Sequence, residues 1–144
     1  MIYRRERNQL YIRVDKGEEV LGKILEVCER ESVKGGSFMG IGACKEAVTA
    51  TYVPEENDFK NHSAEGMLEM VSLMGNVCLE NRKLIEHSHA SFSYFDESDK
   101  LCMLAGHLKK AIVSYTAEIV LTISEKPIEK VFDDKVGITV WNLN

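Results

Sequence analysis

Leu10, Ile12 and Val14 alternate with polar residues in "NQLYIRV", the period of a half-buried strand. Asp15-Lys16-Gly17 ends that run, and the period then changes. In "EEVLGKILEVCERES" Val20, Leu21, Ile24, Leu25, Val27 and Cys28 make an apolar stripe at helical spacing. Glu18 and Glu19 fall in the predicted first turn, where the helix dipole favours acids. No other segment reads as a long helix. Gly35-Gly36 breaks the chain, and "SFMGIGACKEAVTATYV" resumes with strand-forming residues. Pro54 with "EENDFKNH" predicts a polar loop. Strand-length runs follow in "EGMLEMVSLMGNVCLENRKL", with a turn at Glu80-Asn81-Arg82, and in "HSHASFSYF", "KLCMLAGHL" and "IVSYTAEIVLTIS", the last closed by Pro127. "GITVWNL" adds a short terminal strand. One early helix followed by many antiparallel strands predicts an α+β fold: a curved, mainly antiparallel sheet with one main helix packed on it, as a single domain over residues 1–144.

Composition narrows the function classes. At 144 residues and 16.3 kDa the chain can bury a full core without disulfide staples. A net charge of -5 argues against holding nucleic acid by a general basic field. Arg4, Arg5 and Arg7 make the one basic cluster; interrupted by Glu6, it reads as a solvated tail. Cys28, Cys44, Cys78 and Cys102 contain no C-x-x-C pair and sit among apolar neighbours, as small core residues of a reducing compartment do. "MIYRRERN" lacks the apolar core of a signal peptide, and no apolar run is long enough to cross a bilayer, so a cytoplasmic location without membrane contact is expected.

Three motifs could carry chemistry. Gly40 and Gly42 begin a G-x-G-x-x-G pattern, but Lys45 takes the third glycine's place and a strand follows, so there is no helix dipole to hold a pyrophosphate. Close backbone contacts or strand bends explain these glycines better. His87 and His89, two apart on a strand, project to the same face, about 6.5–7 Å apart at the backbone. If the turn in "DESD" has an odd-numbered loop such as Glu97-Ser98-Asp99, the register sets His107 opposite His89, Ser91 opposite Ala105 and Ser93 opposite Met103. A loop one residue shorter would turn His107 to the other face unless a bulge corrected it. Three neutral imidazoles with an open position suit zinc best, with nickel, iron or copper as alternatives. Otherwise His107 bonds to backbone at a strand end and the other two stand on a wet face. His62, in the polar loop, reads as a surface residue. Glu69 and Glu118, single charges in apolar strands, point to solvent, to an interface or to a partner supplied by a metal-bound histidine.

Taken in order, "FMGIGACKEAVTATY", "EGMLEMVSLMGNV", "HSHASFS", "AGHL" and "TAEIVLT" resemble the plants-and-prokaryotes-conserved (PPC) domain family over nearly the whole chain, with Glu69, Ser72, Leu73 and Gly75 as the most specific element. The resemblance implies an antiparallel sheet with a packed helix, assembly as a homotrimer, and a metal site in free-standing prokaryotic members that carries onto His87, His89 and His107. Plant members bind AT-rich DNA through a separate Arg-Gly-Arg hook. This chain has no such hook, and a DNA-binding label would lack its physical basis in these residues. The leading expectation is a trimeric protein binding a divalent metal, most suitably zinc, with a regulatory or small-ligand-binding role. The alternatives are a metal-dependent enzyme in which Glu69 shuttles protons, and a DNA-associated regulator using the N-terminal arginines.

Overall fold

A computed structural model describes residues 1–143. The strands are β1 (Ile2–Glu6), β2 (Gln9–Asp15), β3 (Gly36–Val53), β4 (Asp58–Glu80), β5 (Lys83–Phe95), β6 (Leu101–Ile123), β7 (Glu129–Asp133) and β8 (Ile138–Asn142), with the single helix α1 (Val20–Arg30) between β2 and β3. They form one sheet in the order β1-β2-β6-β3-β4-β7-β8, antiparallel except where β7 runs parallel to β4, and β5 pairs with both β4 and β6. The expected α+β class and its curved sheet are observed.

The three longest strands hold 18, 23 and 23 residues, several times the usual length, so they must bend. Because β5 bridges β4 and β6 while β3 also pairs with both, these four strands make a closed circuit of pairings. Bulges interrupt β3 between Gly40 and Gly42 and again between Cys44 and Glu46, adding the local twist that closure needs. Gly42 is where β3 lies tightest on β6: a Cβ there would stand 2.5 Å from the Thr116 carbonyl oxygen. The glycines thus serve close backbone contact within a strand, and there is no phosphate loop.

The alternating face of β2 is buried as expected, Leu10, Ile12 and Val14 meeting Val20, Ile24, Val27 and Cys28 of α1. The sheet contributes Phe38, Leu68, Met70, Leu73, Val77, Phe92, Leu108, Ile119 and Leu121 to the same core. The helix begins slightly later than its acids suggest: Glu19 is the N-cap, its carboxylate accepting from the amides of Leu21 and Gly22, and Glu18 precedes it. The same carboxylate accepts the Ala111 amide of β6 at 3.2 Å, tying the helix start to the sheet. Burial pushes the Cys28 and Cys44 thiols up to about 12, with smaller contributions from Glu29 and Glu19 respectively, so both stay protonated and inert at neutral pH.

Three expectations fail. The arginine-rich start is not a solvated tail: it is the edge strand β1, paired with β2 from Ile2↔Arg13 to Glu6↔Gln9. Arg4 pairs with Glu6 and lies over the Tyr11 ring, and Arg5 reaches Glu31. The loop at Pro54 is only a turn over residues 54–57, and "DFKNH" already belongs to β4. Past Pro127 the chain makes a hairpin, β7–β8, of which the sequence pattern predicts only the second strand.

Candidate metal centre

The loop between β5 and β6 has the odd count that the histidine argument required. Asp96 N–H donates to the Lys100 carbonyl at 3.0 Å, closing the loop Glu97-Ser98-Asp99, with Asp99 at φ 57. The Asp96 carboxylate accepts the amides of Ser98 at 2.8 Å and Lys100 at 3.1 Å, a local clamp that sets the turn. The register follows: His89↔His107, Ser91↔Ala105, Ser93↔Met103, Phe95↔Leu101. His87 lies two residues before His89, opposite Asn76 of β4.

The three imidazoles converge. One nitrogen from each of His87, His89 and His107 lies within 4.8 Å of the others. The ring centroids are 5.4 Å apart for His87–His89, 5.1 Å for His87–His107 and 5.5 Å for His89–His107. His107 holds a corner, pairing with His89 on one side and with Ala50 of β3 on the other, where β6 leaves β5. Gly106 makes that corner possible, with φ 149 and a hypothetical Cβ only 2.7 Å from the Ala50 carbonyl oxygen. Gly106→Ala is expected to cost about 1–3 kcal/mol in chemical denaturation through backbone strain. It should also weaken metal uptake, because His107 is the next residue.

Electrostatics favour the unprotonated form of His107 and His87. Burial, then the charge of Lys109, the two neighbouring imidazoles and Lys130 push His107 down to about 4. Burial, Lys130 and His89 lower His87 from its ordinary value. Neutral rings present lone pairs, the form a metal binds.

The surroundings come from segments that the histidine motif does not reach. Phe59, at the start of β4, has its ring 5.6 Å from His107 and meets Tyr52 of β3 edge-on at 5.3 Å. The Lys109 ammonium lies 5.0 Å from the Phe59 centroid. Asn76, across from His87, has its carboxamide oxygen buried without a hydrogen-bond partner. No sequence signal marked Tyr52, Phe59 or Asn76; only the wrapping of β3 and β4 brings them near.

The acids lie elsewhere. Glu69 is exposed on β4 opposite Ser93. Ser93 is four residues along β5 from His89, so Glu69 stands about 13 Å down the sheet and does not join the cluster within one chain. Glu118 is exposed on β6 between Arg13 and Ile41. His62 is exposed as expected, but on a strand, opposite Thr49. The sequence reading passed over Glu86, which follows the core-facing register of Val77. Ser88 Oγ donates to it at 2.7 Å, while burial raises its carboxyl above the usual range.

Three convergent imidazole nitrogens and an orphaned buried acceptor beside them fit a divalent ion. The donor set, without thiolate or carboxylate, suits zinc and other borderline metals. Such an ion would be held by His87, His89 and His107, the rings drawing closer than they stand here.

A curved antiparallel sheet carrying one packed helix defines an α+β protein, here with a three-imidazole cluster on the sheet. The chain belongs to the Plants and Prokaryotes Conserved (PCC) domain family, whose model matches residues 1–125. A plant- and prokaryote-conserved protein from Pyrococcus horikoshii is similar at 28% identity and TM-score 0.78, over 98% of this chain and 94% of that one. A metal-containing protein from Archaeoglobus fulgidus is similar at 26% identity and TM-score 0.80, over 99% of both chains. A protein from Ralstonia eutropha, named as a candidate DNA-binding protein, shares the fold at 22% identity and TM-score 0.86, over 99% of this chain and 96% of that one. No curated protein matches the chain.

Proposed function

We propose that this protein is a cytoplasmic homotrimer that holds one divalent metal per chain, zinc by preference, on His87, His89 and His107, and uses it in a regulatory or small-ligand-binding role. The observation that carries this is the convergence of three ring nitrogens within 4.8 Å. Such an ion would supply Lewis acidity and open coordination positions for a ligand. The name of the Archaeoglobus relative supports a metal.

Self-association is supported by the outer face of the sheet. Met39, Ile41, Met74 and Met103 are each 58–60% exposed there. Met39 and Met74 stand directly opposite one another, and so large an apolar face fits burial against further copies of the chain. The four free cysteines accord with a reducing compartment. Among the described residues no helix is long and apolar enough to cross a membrane.

The enzymatic reading lacks its proton shuttle within one chain, since Glu69 is remote and Glu86 follows the register of the core face. The DNA reading loses two of its three arginines, because Arg4 and Arg5 are paired with acids.

Metal analysis of protein purified without a histidine tag should find one equivalent per chain, lost in the His87→Ala, His89→Ala double variant. Equal content in both would overturn the site. Light scattering should give about three times the 16.3 kDa chain mass; a monomer would overturn the assembly.

A further inference from the structure

Two lysines stand near the histidines, and the acid that both act on, Glu86, has its carboxyl raised by burial above the usual range. The Lys109 ammonium rests over the Phe59 ring. Lys130 arrives on β7, which runs beside β4 at Leu79 and Glu80. Lys23, Lys60 and Lys110 each make an ion pair, whereas among the described residues neither Lys109 nor Lys130 does. Both charges are nevertheless near enough to act on His107. The histidine cluster includes no acid, so a divalent ion there would keep its full charge and add it to theirs. In a chain of net charge -5 this is a local positive focus, which draws anions.

Phe59 and Tyr52 add a second constraint. They are 44% and 47% exposed and meet edge-on beside His107. A bare inorganic anion would gain little from such a ledge, whereas an anion with an apolar body would cover it.

Resting on the metal reading above, we infer that the ligand of this centre is a small organic carboxylate, its charge met by Lys109 and Lys130 beside the three histidines and its apolar part by Phe59 and Tyr52. Lys130 lies beyond residues 1–125, the stretch that matches the family model.

Cobalt-loaded protein tests this, since visible absorption reports a ligand entering the metal's coordination. Benzoate should shift the spectrum saturably, acetate should do so at least about fivefold more weakly, and uncharged benzamide should leave it unchanged. The Lys109→Gln, Lys130→Gln double variant should keep one cobalt per chain and bind benzoate at least about tenfold more weakly. Phe59→Ala should weaken benzoate and leave acetate unaltered. Full cobalt loading with no response to benzoate, or equal benzoate affinity in the lysine variant, would overturn this inference and leave the metal site standing. Failure of the wild-type protein to take up cobalt would overturn the metal reading, and this inference with it.

Discussion

Replacing His107 with alanine is expected to lower zinc affinity by more than about 100-fold while leaving the far-ultraviolet circular dichroism unchanged. Loss of a partner that merely orients a ligand costs 10–100-fold, and a direct ligand should cost more. His107 is the one member of the set contributed by β6, so its removal leaves a two-histidine strand motif with no third nitrogen in reach. Its ring is only partly buried, so the fold should tolerate the change. Isothermal titration with zinc is the measurement, and His62→Ala is the control, since that ring is exposed on β4 outside the cluster. An unaltered affinity in His107→Ala would mean that His87 and His89 bind zinc without the hairpin partner.

The largest expected effect on stability lies on the reverse face of the same hairpin. Phe92 is fully buried, opposite Met70 of β4 and Leu104 of β6. Phe92→Ala removes an aromatic ring from a place where three strands meet and should cost about 3–5 kcal/mol. That is a large share of the 5–15 kcal/mol typical of a whole domain. Urea unfolding at a fixed protein concentration measures it, because assembly would make the midpoint depend on concentration. A loss under about 1 kcal/mol would show that the core refills the space, contrary to the close packing that folded interiors maintain.

The histidine face and the phenylalanine face were both legible because a strand has period two. Once Asp96-Glu-Ser-Asp-Lys100 closes with an odd count, each residue of "HSHASFSYF" acquires both a partner and a side. The helix was legible for the same kind of reason, six apolar residues at helical spacing between breaks. Both are local signals, carried by neighbours in the chain.

The edge strand β1 was hidden because an edge exposed to water can carry "YRRE" as readily as a tail can; what makes it a strand is its ladder to β2. The first residues of β4 read as a loop for a similar reason, since "DFKNH" is polar where it extends past the core yet pairs with β3 from Val53↔Asp58 onward. Glu69 looked like a partner for the metal site because it interrupts an apolar strand, but the β4–β5 register carries it four residues away from His89.

By itself, the sequence determined the α+β class, the helix, and a hairpin that sets His89 against His107 with His87 beside them if its loop has an odd count. These follow from backbone periodicity and turn geometry, which act over a few residues. Tertiary structure decided what surrounds those rings: the Gly106 corner that leads β6 from β5 to β3, the Phe59 and Tyr52 ledge, the buried Asn76 oxygen, and the charges of Lys109 and Lys130. Apart from Gly106 and Lys109, which flank His107 on β6, these parts are drawn from strands far apart in the chain, and only the closed pairing of β3, β4, β5 and β6, with β7 laid beside β4, brings them to one place. Such pairing is settled by which faces can be buried together, a property of the whole chain that no short stretch of it encodes.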